Sequence, residues 1–310
     1  MNKKLLTAIF AATLIVPSTA NAAFKTEASI PTPTLAILDT ALDTSIPAFQ
    51  GRIAYEVCIL EWNSCPNGKS YMEGTGSAVL PKNIIINNGF DHGTMMTSIA
   101  LENNPNMNVV FVRIIGNTLS GTRQITNEIT IANALDWVYN NKSKFNIQAV
   151  ALAQGHHNLT PLADYCPNTP NTKSKISNLI SVGVPTFIAS GNGRDYKKID
   201  WPSCIDEAIS VGATSAQDEI TIYSNVDINR LDFVALGNTT AIKPLNFRVS
   251  VAGTSASTQI AAASWIALKQ AKPGLSYTEQ LELFTKTSSK VIGPKGTYGK
   301  LINLKVALNG

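Results

Sequence analysis

Charged residues and histidines are scarce in this sequence, and the scarcity limits the functions open to it. Asp, Glu, Lys and Arg make up 15% of the 310 residues, the formal net charge is only +4, and there are 3 histidines. Without a basic cluster, nucleic acid is not an expected partner, because that interaction needs concentrated positive charge. Internal repeats and low-complexity linkers are also absent, and 44% of the residues are hydrophobic, so the length allows one globular domain or at most two.

Beyond its first residues, the chain lacks any apolar run long enough to cross a membrane. At the N-terminus, Lys3 and Lys4 precede the apolar run "LLTAIFAATLIV" and then the small-residue tripeptide "ANA". This order is typical of a secretory signal peptide, which we predict over residues 1–22, with cleavage near Ala22 or Ala23. The alternative is a membrane anchor, for which the run is short. We therefore expect a secreted or periplasmic protein without a membrane attachment after cleavage.

The four cysteines lack the paired C-x-x-C spacing of zinc sites, so no metal centre is expected from them. An even number of cysteines in an exported chain instead predicts two disulfides. Counting alone leaves open all three pairings of Cys58, Cys65, Cys166 and Cys204.

Short runs that are apolar almost throughout alternate with helical patterns along the chain. Strands covered on both faces have this uninterrupted apolar character. The alternation predicts an α/β fold in which a mostly parallel central sheet carries helices on both faces. The predicted strands are 34–39, 83–87, 108–114, 148–153, 184–190 and 208–213; the predicted helices are 92–101, about 124–141, about 173–182, 255–271 and about 277–286; residues 62–82 are predicted as loop.

Four polar residues stand where such a sheet places its working groups, at the carboxyl ends of strands or at helix starts. Asp39 ends the first strand, His92 begins a helix, Asn192 follows a strand and Ser255 opens an uncharged helix. Each residue alone is a weak signal, because such residues commonly serve as caps or turn residues. The combination is more specific, because Asp, His and Ser occur in that order and an amide side chain is available besides. The G-x-S-x-G motif and residue order of an α/β-hydrolase are absent.

The segments around these residues resemble the motifs of the subtilisin-like serine proteases, or subtilases. The aspartate lies in "LDTALD", the histidine in "DHGTMMTSIA", the asparagine in "VPTFIASGN" and the serine in "VAGTSASTQIAAA", while "QAVALAQG" and "AISVGAT" are similar to neighbouring strands of the family. The resemblance covers roughly residues 34–273. It implies a subtilisin-like fold and a catalytic domain at 34–310, preceded by a short segment at 23–33.

The resemblance also implies a role for each residue. Asp39 would orient His92, which would take the proton of Ser255 as the serine attacks the scissile carbonyl. Asn192 and the backbone N–H of Ser255 would hold the developing oxyanion. Substrate-binding roles are implied for Ala153, Gln154, Gly155, Ser190 and Gly191, with a further peptide edge at 116–121.

No cofactor is implied for the chemistry and no metal residues are assigned; the family often binds structural calcium, but no site for it is evident. The expected partners are polypeptide substrates, and the expected oligomeric state is a monomer. The pairs Cys58–Cys65 and Cys166–Cys204 are expected, the second because some secreted subtilases have a similar bridge.

Three positions depart from the family pattern: Ala41 replaces a usual Gly, Ala256 a larger apolar residue and Gln259 a proline. Secreted members commonly carry a folded pro-domain, and from the short segment 23–33 we expect none here. The leading interpretation is a secreted serine endopeptidase that acts through an Asp-His-Ser triad and an acyl-enzyme. The alternatives are a catalytically weak or inactive subtilase-like protein that binds peptides or a partner, and an unrelated exported hydrolase such as an esterase.

Overall fold

A ten-stranded sheet runs through the centre of the computed structural model, which describes residues 31–118, 121–124, 126–156, 166 and 168–310. Residues Thr32–Gly310 form one compact unit. The predicted signal peptide at 1–22 lies outside the described residues, and so does most of the segment 23–33. Within the described part of the chain, no helix has both the length and the apolar character that a bilayer crossing requires.

The sheet is parallel except at its two edges. Its strand order is β11-β12-β8-β7-β6-β5-β1-β4-β2-β3, and only the outermost strands β11 and β3 pair antiparallel with their neighbours. A separate antiparallel hairpin joins β9 to β10. The strands are β1 Thr34–Asp39, β2 Ile53–Ile59, β3 Tyr71–Glu73, β4 Asn108–Arg113, β5 Ile147–Leu152, β6 Thr186–Ala189, β7 Ile209–Thr214, β8 Phe233–Leu236, β9 Asn238–Lys243, β10 Phe247–Ala252, β11 Ser289–Ile292 and β12 Tyr298–Leu301.

Helices cover both faces of the sheet, so the α/β prediction is confirmed. They are α1 Lys82–Asn87, α2 His92–Asn103, α3 Glu128–Asn141, α4 Pro170–Ser181, α5 Thr254–Ala271, α6 Tyr277–Thr287 and α7 Leu304–Asn309. One apolar core forms between the sheet and α1, α3 and α4, and a second between the sheet and α2, α5, α6 and α7. Successive residues of β1 enter opposite cores, because side chains alternate along a strand.

The prediction of a strand at 83–87 is wrong, since this segment is the helix α1. Pro81 precedes the helix, and only Ile85 within it is buried, while Ile86 is 36% exposed. A strand covered on both faces would have buried both isoleucines. A short apolar run does not distinguish a strand from a helix by its periodicity, which explains the error. The predicted loop at 62–82 also contains the short edge strand β3.

The structure joins Cys58 to Cys65 and Cys166 to Cys204, the two expected pairs. The first disulfide links the end of β2 to the following turn, seven residues on. The second closes a separation of 38 residues and ties the segment before α4 to the turn before β7. Both therefore brace connections between elements of the fold.

Candidate active site

Asp39 is the last residue of β1, and the segment after it is fastened to the first turn of α2. The hydroxyl of Thr40 donates to the carbonyl oxygen of Phe90 at 2.9 Å and accepts from the backbone N–H of Gly93, also at 2.9 Å. A Cβ on Gly93 would lie 2.5 Å from the carbonyl oxygen of Ala41, so this close approach requires glycine. Ala41 is itself fully buried, and its methyl group is accommodated in the core.

His92 is the first residue of α2, and its ring faces the carboxylate of Asp39. Nδ1 of His92 lies 2.8 Å from Oδ1 and 2.9 Å from Oδ2 of Asp39. Asp39 is fully buried, and its Oδ1 also accepts from the backbone N–H of Thr40 at 2.7 Å. Because an ionised carboxylate only accepts hydrogen bonds, this contact selects the neutral tautomer with its proton on Nδ1. Nε2 is then the ring nitrogen that can take a proton.

Ser255 is the second residue of α5, where backbone N–H groups have no partner inside the helix. Its Oγ lies 3.5 Å from the carbonyl oxygen of Ala153, and within the described residues no hydrogen bond joins it to His92. Catalytic hydrogen bonds are often long before substrate binds. Neighbouring residues of the chain contact both side chains, because Nε2 of Gln154 lies 3.1 Å from Nδ1 of His92 and the carbonyl oxygen of Ala153 lies beside Ser255.

The side chain of Asn192 is oriented by the start of α5. Its Oδ1 accepts from the backbone N–H of Thr254 at 2.9 Å and from the Thr254 hydroxyl at 3.2 Å. Two donors on one atom identify that atom as the amide oxygen. Nδ2 has no hydrogen-bond partner among the described residues and lies near Gly253, two residues before Ser255. The arrangement leaves one amide donor available at the helix start.

A buried asparagine that the sequence analysis missed, Asn225, organises the loop after β6. Its Oδ1 accepts from the backbone N–H groups of Gly193 at 2.8 Å and Asp195 at 3.0 Å, and its Nδ2 donates to Oδ1 of Asp200 at 2.8 Å. Its carbonyl oxygen accepts from the hydroxyl of Ser190 at 2.9 Å. Asn225 lies in "YSNVD", which matches no motif, so the sequence offered no signal for this role.

The residues predicted to bind substrate follow β5 and β6 at the carboxyl edge of the sheet. Ala153 and Gly155 follow β5, and a Cβ on Gly155 would collide with the carbonyl oxygen of Trp201. Gly191 has φ +105°, and a Cβ there would collide with the carboxylate of Asp200. Because glycine has no Cβ, neighbouring groups approach the chain more closely at these two positions than any other residue would allow.

Arg113 ends β4 and is a fully buried cation. Its guanidinium donates to the carbonyl oxygens of Ile115 at 3.1 Å and Ser64 at 3.2 Å and to Oδ1 of Asn117 at 2.7 Å. Burial lowers the pKa of Arg113 to about 10. These bonds hold the beginning of the predicted peptide edge at 116–121, of which residues 119 and 120 lie outside the described chain.

Across the described ranges, no group of three or more His, Cys, Asp or Glu side chains is placed to hold a metal ion. His156 instead packs on Trp201, with ring centroids 4.9 Å apart. His157 lies outside the described residues.

The family model described as "Subtilase family" matches residues 31–300. A curated relative, the major intracellular serine protease of Bacillus subtilis (strain 168), is 23% identical over 212 residues, which are 66% of this chain and 57% of the relative. The chain thus matches little more than half the length of that protein.

Solved structures with this fold include three proteases. The prenylagaramide maturation protease PagA aligns with a TM-score of 0.65 and 18% identity, covering 90% of this chain and 93% of its own. A cold-adapted subtilisin-like serine proteinase aligns with a TM-score of 0.65 and 19% identity, covering 87% and 88%. The epidermin leader peptide processing serine protease EpiP of Staphylococcus aureus aligns with a TM-score of 0.68 and 16% identity, covering 89% and 74%. At these identities the likeness concerns the fold.

Proposed function

The chain belongs to the subtilase family, and on that premise we propose that it is a serine endopeptidase that hydrolyses peptide bonds through an acyl-enzyme. Ser255 is the nucleophile, His92 the general base and Asp39 the residue that orients the histidine. In the first half-reaction, Oγ of Ser255 bonds to the scissile carbonyl carbon and its proton passes to Nε2 of His92. The C–N bond then breaks as His92 returns that proton to the leaving amine, and water releases the acyl group in the second half.

The oxyanion of each tetrahedral intermediate is held by two donors in this proposal. One is Nδ2 of Asn192, and the other is the backbone N–H of Ser255. The unpaired N–H groups at a helix start carry partial positive charge, which stabilises negative charge developing there. Because Oδ1 of Asn192 is already held by Thr254, the donor needs no reorientation when the charge forms.

The observation that carries the proposal is the contact of Nδ1 of His92 with both oxygens of Asp39, at 2.8 and 2.9 Å, in a position where the carboxylate is fully buried. A buried carboxylate needs hydrogen-bond donors to compensate for its lost hydration, and for a purely structural role any kind of donor would serve. Here one donor is the imidazole of His92, whose side chain is 23% exposed and can therefore be reached by substrate.

Labelling with a fluorophosphonate probe tests the proposal, because an activated serine bonds to the phosphorus of such a probe and displaces its fluoride. We expect an adduct on Ser255, located by mass spectrometry, and turnover of unfolded casein. Ser255→Ala is the control for the site, and His92→Ala should abolish both signals while the protein stays folded. Failure of the folded wild-type protein to label and to cleave casein would overturn the proposal.

The substrate class that we propose is an extended polypeptide, bound by backbone pairing along residues 153–155 and the edge at 116–121. We also propose that the protein acts as a monomer outside the cytoplasm, after removal of residues 1–22. The two disulfides support export, because such bonds persist in oxidising compartments. No cofactor takes part in the proposed chemistry.

A second candidate is a subtilase-like protein that binds peptides without cleaving them. It is favoured by one observation, namely that Oγ of Ser255 lies against the carbonyl oxygen of Ala153 at 3.5 Å instead of pairing with His92. The labelling experiment separates the two, since a binding protein would retain peptide affinity and leave Ser255 unlabelled.

A further inference from the structure

Gln154 contacts the aspartate–histidine pair through its side chain, although it was assigned only a substrate-binding role from the sequence. Its Nε2 donates to Oδ1 of Asp39 at 2.9 Å and lies 3.1 Å from Nδ1 of His92. Only 6% of Gln154 is exposed. The side chain is therefore packed into the site beside the carboxylate and does not line an open groove.

The orientation of this amide is fixed from its other end by Arg123. A guanidinium N–H of Arg123 donates to Oε1 of Gln154 in a short contact. Because arginine only donates and an ionised carboxylate only accepts, the amide oxygen must face Arg123 and the amide nitrogen must face Asp39. Arg123 thus determines which end of the amide meets the carboxylate.

The contact with His92 is a close approach of two donors. In the tautomer that Asp39 selects, Nδ1 of His92 carries a proton, and Nε2 of Gln154 carries two. The amide cannot replace Asp39 as the partner of the ring. Its effect on His92 must pass through the position of the Asp39 carboxylate, whose Oδ1 accepts from both side chains.

The other charged groups around the pair are held elsewhere. Arg113 faces Asp39 in the ladder between β1 and β4, but its guanidinium donates to two carbonyl oxygens and an asparagine. Asp91, which precedes the histidine, pairs with Lys243 at 2.9 Å. Among the described residues, Arg123 is therefore the cation that reaches Asp39, through one intervening amide.

We propose that Gln154 and Arg123 are positioning residues of the triad: Arg123 orients the Gln154 amide, and the amide holds the Asp39 carboxylate with both oxygens toward His92. This inference rests on the proposed function. Without the amide, the backbone N–H of Thr40 still holds Oδ1 of Asp39, but the carboxylate loses the second donor that fixes its rotation, and the imidazole loses part of the orientation needed for proton transfer. Displacements of about 1 Å at such a site cost on the order of a hundredfold in rate.

The test compares Gln154→Met, which preserves the length of the side chain but donates no hydrogen bond, with Arg123→Ala. We expect kcat to fall by about 10- to 100-fold in Gln154→Met while KM stays within about twofold, because the lost interaction acts on the transition state. Arg123→Ala should fall in the same way but less, and Arg123→Lys, which keeps a cationic donor, should recover part of the loss. The double variant should equal Gln154→Met, because both residues act through one amide.

Arg248→Ala is the matched control, since it removes an exposed arginine paired with Glu102 and should leave kcat unchanged. Arg123 is exposed, so Arg123→Ala keeps the test informative if Gln154→Met does not fold. The inference is overturned if both variants keep the wild-type kcat, if their losses are additive, or if only KM changes. The proposed function still stands in each case, provided that Ser255 of the wild-type protein is labelled. If the wild-type protein does not label, both fall.

Discussion

Gln259 offers a direct test of the packing around the proposed nucleophile, because its buried amide has no hydrogen-bond partner among the described residues. It lies in α5 one turn after Ser255, is fully buried, and neither Oε1 nor Nε2 has a partner within the described residues. Burying an amide without a hydrogen bond costs about 1–3 kcal/mol in proteins. Gln259→Met removes both polar atoms while preserving the length and shape of the side chain.

We expect Gln259→Met to raise the free energy of unfolding by about 1–3 kcal/mol. The desolvation penalty disappears, no cavity forms because the volume is nearly conserved, and the two residues have similar helix propensities. Urea unfolding measures the change, with an unaltered m-value showing that the same surface is exposed. Labelling of Ser255 should be unaffected.

Gln280→Met is the matched control. Gln280 is 1% exposed, but its Nε2 donates to the carbonyl oxygen of Trp265 at 2.7 Å. The same substitution there should lower stability by about 1 kcal/mol, the net value of a typical hydrogen bond. If Gln259→Met is instead less stable than the wild type, its amide is satisfied, for example by an internal water, and the reasoning is refuted.

Two further predictions concern the oxyanion donor and a buried carboxyl. Asn192→Ala should lower kcat on casein by about 10²–10³-fold with KM little changed, the loss expected for one oxyanion donor; a loss below threefold would contradict the assignment. Burial raises the pKa of Asp232 despite two contacts from Ser210. The pKa of Asp232 is thus higher in the folded state than in the unfolded state, where it is near 3.8. The protonated carboxyl therefore contributes stability at pH values below 3.8, and this contribution is lost as the pH rises through the folded-state pKa. The stability of the wild type relative to Asp232→Asn should therefore decline above about pH 4 in urea unfolding; a rise would show that the carboxyl is stabilised as an anion.

The centre of the fold could be predicted because its strands are covered on both faces. The segments around β1, β4 and β5 are apolar almost throughout, and each was placed within a residue of its observed bounds. Strand β2 was missed, since its first three residues are at least partly exposed and the polar residue Glu56 lies at its centre. Glu56 is buried in the structure, where it accepts from the N–H groups of Gly76 and Ala78. A contact of that kind leaves no periodic trace in the sequence.

In the candidate site, too, some residues could be predicted from the sequence and others could not. Asp39, His92, Asn192 and Ser255 could be named because each lies in a local motif, and the structure brings Asp39 against His92 and Asn192 against the start of the Ser255 helix. The residues that shape the loops around them include single residues at distant positions. No local pattern marks Asn225, which is separated from Ser190 by 35 residues.

Gln154 and Gln259 illustrate why a residue type in a known position does not define its role. Gln154 follows a strand that lines the substrate in subtilases. Its amide nevertheless lies inside the site, where it donates to the carboxylate of Asp39 and accepts from Arg123. Gln259 departs from the proline that is usual in the family, yet the sequence could not show that its amide enters a core where the described part of the chain offers it no partner. The same functional group therefore stabilises one site and costs stability in another. The difference lies in which donors and acceptors the fold brings within about 3 Å.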